Sequence, residues 1–265
     1  MKKITIWSIL LVFIFSIAVT VNAEQNLGPG KLMWEFKNDE SLNTLYLKND
    51  VIYTGAKENL KAFTTDGNKK WSFNLTSSIS THIKSDNNKN IYFADKNGNI
   101  YSVDHNGQEN WKFKTGSRIL YCLRIGPKGN IYAGNLNGEL YAITNSGQKK
   151  WKFNTDGRIW FELKIDKKGN IYFQSGKNFY ALNPEGNLKW KKKVDTGNSL
   201  LVFSLDENNN IYVIEGKNKI ISYSQKGNKN WQYNISGEFL NIVTGNEGDI
   251  YTCTKKGYIY AFNSE

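Results

Sequence analysis

Residues 119–153 read ILYCLRIGPKGNIYAGNLNGELYAITNSGQKKWKF, and this one stretch carries the plan of the whole chain. Ile119, Tyr121, Leu123 and Ile125 are apolar at alternate positions, the pattern of a half-buried strand. Pro127-Lys128-Gly129-Asn130 reads as a turn and Ile131-Tyr132-Ala133 as a second strand. Asn135-Leu136-Asn137-Gly138 turns into a third strand, Leu140-Tyr141-Ala142-Ile143. Asn145-Ser146-Gly147 turns again, into Trp151-Lys152-Phe153. Glycine and asparagine supply the positive φ of tight hairpins, and β-branched and aromatic residues fill the strands between them.

The pattern recurs on both sides of this stretch. Trp34, Trp71, Trp111, Trp151, Trp190 and Trp231 are separated by 37, 40, 40, 39 and 41 residues. The pairs Ile52-Tyr53, Ile91-Tyr92, Ile131-Tyr132, Ile171-Tyr172, Ile211-Tyr212 and Ile250-Tyr251 keep the same period, as does the third-strand series that begins at Leu60, Ile100, Leu140, Phe179, Ile220 and Ile259. Three series in register at about forty residues, with four strands per unit, are the mark of a β-propeller. The expected fold is all-β: a six-bladed β-propeller of four-stranded antiparallel blades. The sixth unit supplies only three strands before Glu265, and Trp34-Glu35-Phe36 precedes the first unit unattached. That Trp34 strand is expected to complete the last blade and close the ring, which leaves only short protected edges.

Residues 1–23 read as an export signal. Met1-Lys2-Lys3 is basic, residues 4–21 are almost unbroken apolar sequence, and Val21-Asn22-Ala23 presents a cleavage pattern. Cleavage after Ala23 leaves a single propeller domain over 24–265 and places it outside the cytoplasm, in the cell envelope or secreted. No later stretch is long and apolar enough to span a bilayer. The formal charge of +11 falls to +9 when Lys2 and Lys3 leave. A lysine excess serves first as a solubilising surface; functionally it attracts anionic polymers. With Arg118, Arg124 and Arg158 the only arginines and no reader motif, nucleic acid is not an expected partner. Cys122 falls in the first strand of blade three and Cys253 in the second strand of blade six. Those positions lie across the ring, so two buried thiols and no disulfide are expected.

Asn183-Pro184-Glu185-Gly186-Asn187-Leu188-Lys189-Trp190, after Tyr180-Ala181-Leu182, resembles the tryptophan-docking repeat of quinoprotein dehydrogenases. Residues 142–151, ending in Gly147-Gln148-Lys149-Lys150-Trp151, resemble it too. The resemblance is to the wider PQQ-like propeller repeats and covers essentially all of 24–265. It implies the fold, and it leaves function open between cofactor enzymes and non-enzymatic members, such as the propeller lipoprotein of the outer-membrane assembly machine. The chain departs from the enzymes in four respects. It has material for six blades rather than eight, no adjacent cysteines, no cluster matching their calcium site and its acidic base, and a gap from alanine to glycine one residue shorter. The resemblance therefore points to the non-enzymatic branch, with no cofactor.

Other chemistries find no support. Thr64-Thr65-Asp66-Gly67 has the flavour of a sialidase Asp-box but is out of register, and the three arginines cannot converge. The turns at Asp86 and Asp206 lack the sixth-position glycine and distal glutamate of a calcium loop, and read as hairpin turns. His82 and His105, without a cysteine partner, make no zinc set. There is no Gly-x-Ser-x-Gly elbow.

The informative column is the one where the chain enters each first strand: Ser41, Ser78, Arg118, Arg158, Asn198 and Glu238. It is expected to ring one mouth of the channel, with Tyr121, Trp160, Phe161 and Phe239 behind it. The second-to-third-strand turns, with Asn97, Asn137, Lys177, Lys217 and Lys256, are expected on the same face. Two arginines beside aromatics suit an acidic or sugar-like group; equally, Arg118 and Arg158 could pair with Glu238. The expected function is a monomeric, non-enzymatic binding module for a protein or an anionic envelope polymer. The alternative is a small-molecule-binding propeller or an enzyme related to the quinoproteins.

Overall fold

The computed structural model describes residues 32–37, 41–195, 201–235, 237–245 and 248–263. These form six antiparallel sheets in chain order, five with four strands and the last with three. Blade three is typical. Its strands Ile119–Ile125, Ile131–Asn135, Glu139–Ile143 and Lys149–Asn154 pair in sequence order. First strands are the inner ones: those of blades two and three, three and four, and five and six touch each other. Fourth strands alternate half-buried and exposed residues, so they face outward.

The cores lie between blades. Tyr132, Leu140 and Ala142 of blade three pack on Leu163, Ile171 and Phe173 of blade four. Tyr92, Ala94 and Ile100 of blade two pack in the same way on Leu123, Ile131 and Ala133 of blade three. Each sheet therefore has a leading face, which meets the next blade, and a trailing face, which meets the one before. Each large apolar side chain buried there is worth about 1.5–3 kcal/mol.

A second link joins each of blades one to four to its successor. The Trp151 ring lies against Gly186 in the third-to-fourth-strand turn of the next blade, and its Nε1 donates to the Pro184 carbonyl at 3.0 Å. Trp71, Trp111 and Trp190 repeat this on Gly107, Gly147 and Gly227, donating to the carbonyls of His105, Asn145 and Gln225 at 2.9, 2.8 and 3.1 Å. The seat requires glycine on two counts: Gly186 has φ +86°, and a Cβ there would stand 2.6 Å from the indole.

The two ends of the array differ from its interior. Ile259, on the leading face of blade six, is 80% exposed, while its equivalents Leu60, Ile100, Leu140, Phe179 and Ile220 are 0% exposed. Leu45, on the trailing face of blade one, is 76% exposed, while its equivalents Ile83, Leu123, Leu163, Phe203 and Ile242 are at most 4% exposed. Both ends carry the residue pattern of a blade interface without a blade against it.

Residues 32–37 form no strand, and the last sheet's outer strand, Ile259–Phe262, pairs only with Ile250–Thr254 among the described residues. The described residues therefore do not show the expected Trp34 strand in blade six. Trp34 sits on Gly67 with Nε1 donating to the Thr65 carbonyl at 2.8 Å, and Phe36 packs on Phe63 with ring centroids 4.7 Å apart. Residues 34–36 thus stand to blade one as each fourth strand stands to the following blade. Trp231 has a buried Nε1 with no acceptor among the described residues. The signal expected at 1–23 lies outside the described residues.

Cys122 is buried in blade three, whereas Cys253 is half-buried rather than buried as expected, because it lies on the bare leading face of blade six.

Candidate functional site

Backbone hydrogen bonds bind the loops entering the first strands to the second-to-third-strand turns. Lys96 N–H donates to the Ser78 carbonyl, Leu136 to Arg118 and Lys255 to Glu238, at 2.9–3.0 Å. In blades two, three and six the entering loop and the turn therefore lie together on one face of the array. Ser41, Arg118 and Arg158 are exposed, and Ser78 and Glu238 are half-buried. Asn198 lies outside the described residues.

Arg118 and Arg158 do not pair with Glu238. Its carboxylate is held by Lys255 at 2.5 Å and Lys217 at 3.4 Å. Hydrogen bonds first from Lys255 and then from Lys217 keep its pKa below the ordinary glutamate value. Both lysines come from the turns next to it, so the demand for a counter-charge is met locally. Among the described residues neither arginine has an ion pair, which leaves two guanidinium groups on the face.

The aromatics divide. Phe239, expected on this surface, is buried against Tyr260, because it opens the alternation of its strand on the side facing blade five. Tyr121 and Trp160 are 52% and 48% exposed. Tyr121 departs from the expected alternation. The register of Ile119–Ile125 on Ile131–Asn135 shifts there, and Tyr121 has φ +55°. Its N–H donates across to the Ser80 carbonyl of blade two at 3.2 Å, and its ring lies 5.7 Å from that of His82. The bulge turns Cys122 inward and the tyrosine outward. A β-bulge re-aims a side chain, and a non-glycine residue held at positive φ costs energy that the surroundings must offset.

The aspartate turns are fully employed. Asp206 accepts from Asn210 N–H at 2.8 Å, from the Asn210 amide at 2.9 Å and from the Tyr212 hydroxyl at 2.8 Å. Asp86 and Asp166 repeat the set with Asn90 and Tyr92 and with Asn170 and Tyr172. These carboxylates fasten the first hairpin of blades two, four and five to the second strand of the same blade.

Lysines gather on the opposite face. A groove of about 260 Å³ between blades three and four is bordered by Lys128, Lys150, Lys167 and Lys168 beside Trp151 and Pro184. Sequence reasoning missed it, because the four lysines come from separate turns that only inter-blade packing brings together.

The family model described as outer membrane protein assembly factor BamB matches residues 23–119, 96–206 and 175–265. No curated protein matches the sequence. Among solved structures, the computationally designed Ika8 protein aligns with TM-score 0.67 at 12% identity, over 84% of this chain and 71% of its own. A streptogramin B lyase aligns with TM-score 0.62 at 15% identity, over 85% and 80%. At these identities the two likenesses show the fold alone. BamB from Moraxella catarrhalis aligns with TM-score 0.48 at 15% identity, over 86% and 84%.

Proposed function

Because the chain belongs to the family described as outer membrane protein assembly factor BamB, a PQQ-like propeller family, we propose that it is an exported, non-enzymatic protein-interaction module of the cell envelope. The face carrying Arg118, Tyr121, Arg158 and Trp160, with Ser78 and Glu238 at its rim, is its docking surface. The observation that carries this is the Tyr121 bulge: backbone energy is spent to hold an aromatic ring half in solvent, while Trp160 is exposed where the chain enters blade four and, among the described residues, neither Arg118 nor Arg158 has an ion pair. Aromatic and arginine side chains are the usual anchors of protein interfaces. The export signal at 1–23, cut after Ala23, delivers the chain to that compartment.

The test compares binding to purified envelope proteins and to anionic cell-wall polymers, over a salt series, for wild type, Arg118→Ala/Arg158→Ala and Tyr121→Ala/Trp160→Ala. Saturable binding to a protein that both folded double variants lose supports the reading. Binding that survives both and vanishes at modest salt assigns the attraction to the lysine groove instead.

The same proposal includes a closed ring, with the leading face of blade six meeting the trailing face of blade one and residues 34–36 completing the last sheet. Its support is the seating of Trp34 and Phe36 on blade one, and the matching residue patterns of the two bare faces. Cys253 is a native reporter. In a closed ring neither thiol reacts with a thiol reagent before unfolding; one rapidly reacting thiol, independent of protein concentration, rules closure out.

A further inference from the structure

The strongest remaining feature lies at the far end of the same inner strands. The residue that pairs with the second-strand tyrosine is Lys84 in blade two, Arg124 in blade three and Lys164 in blade four. Inner strands of these blades touch, so three cations stand side by side on the channel wall. Their one carboxylate is Glu162, which accepts from Arg124 Nη2 at 3.0 Å and lies 3.9 Å from Lys164 Nζ. Arg124 Nη1 is spent on the Leu123 carbonyl at 2.9 Å, and Lys164 lies over the Phe203 ring at 5.5 Å. Among the described residues Lys84 has no carboxylate partner. Three cations against one carboxylate leave an excess of two positive charges.

We propose that the channel wall at Lys84, Arg124 and Lys164 binds a small phosphate-type oxyanion. Guanidinium and ammonium groups carried side by side on neighbouring strands suit an anion with several oxygens, and a dianion matches the excess charge. The local electrostatics agree. Burial, and then the charge of Arg124, push the Lys84 ammonium below its ordinary pKa. Burial does the same to Lys164, Glu162 opposing and Arg124 adding to it. His82, equivalent in position to Glu162, is pushed down by burial and then by Lys84 and Arg124, so it adds little charge near neutral pH. Like charges drawn partly out of water are held at a cost that a bound anion relieves. A solvated lysine surface shows none of this. The inference does not rest on the mouth-face reading: Arg118 and Arg124 are six residues apart on one strand, roughly 20 Å along it.

The test is calorimetric titration of the full chain with inorganic phosphate at constant ionic strength, with chloride as the control anion. The expected result is one saturable phosphate site that chloride does not fill. Lys84→Met, which keeps the apolar stem, weakens it at least tenfold, and Lys128→Met in the outer groove leaves it unchanged. Glycerol 3-phosphate in a parallel arm shows whether a free phosphate or a phosphate ester is the better fit. The Lys84 ammonium is followed by NMR in the wild-type chain, so that a variant that fails to fold does not decide the matter; its pKa is expected to rise as phosphate is added. Absence of a saturable site, binding indifferent to Lys84→Met, or a Lys84 signal that does not respond to phosphate overturns the proposal.

Discussion

Replacing Gly186 by alanine tests whether the tryptophan seat links the blades as described. Gly186→Ala places a methyl group at φ +86° and 2.6 Å from the Trp151 ring. Gly129→Ala places the same methyl at φ +76° with nothing within 4 Å. The backbone cost of a left-handed alanine, about 1–2 kcal/mol, is common to both. Overpacking adds about 1–3 kcal/mol at Gly186 alone. Gly186→Ala is therefore expected to lose about 2–5 kcal/mol and Gly129→Ala about 1–2 kcal/mol. Urea unfolding followed by circular dichroism measures the difference, with unchanged slopes licensing the comparison. Equal midpoints for the two variants would mean that the indole does not bear on Gly186, and would refute the account of how blades are joined.

Further outcomes follow from the same contacts. Trp151→Phe removes a made hydrogen bond, while Trp231→Phe removes a buried donor that has no acceptor among the described residues. The first is expected to destabilise by about 1 kcal/mol more than the second, read from the same urea curves. Tyr92 and Tyr141 are pushed up to about 12, first by burial and then by the hydrogen bonds to Asp86 and Glu139. Tyr172 and Tyr212 are raised further for the same reason, burial with a bonded aspartate. A raised folded-state pKa contributes stability that is complete below the ordinary value of 10.0 and is lost as pH climbs toward 12. Tyrosinate absorbance is expected to appear together with loss of the β-sheet signal in that window. Full ionisation near pH 10 with the fold intact would contradict it.

Much of this fold is legible in the sequence because a propeller repeats its physics. Each Ile-Tyr pair reports a second strand, and each glycine-to-tryptophan spacing reports a seat, so weak signals repeated along the chain reinforce one another. The bulge at Tyr121 was not legible. Ile119, Tyr121, Leu123 and Ile125 alternate perfectly, and a shift of register leaves no trace when the residue turned inward, Cys122, is apolar as well. The column of Lys84, Arg124 and Lys164 was visible in principle as three bases one period apart. Inside a single strand, however, each looks like an ordinary outward lysine or arginine. The fate of the chain's ends was hidden for a different reason: Leu45 and Ile259 have the composition of interface residues, and composition does not say what lies opposite.

The seating of Trp71, Trp111, Trp151 and Trp190 on the glycine of the following blade gives the array a direction. Each unit presents a ring forward and a socket backward, and none of these links skips a neighbour. A segment of one period cut between a fourth strand and the next first strand carries both halves of the joint. Duplicating such a segment adds a ring and a socket together, and deleting one removes both. The protein can therefore change length by whole units without leaving an unmatched joint inside the array, whereas a cut within a unit leaves a ring without a socket.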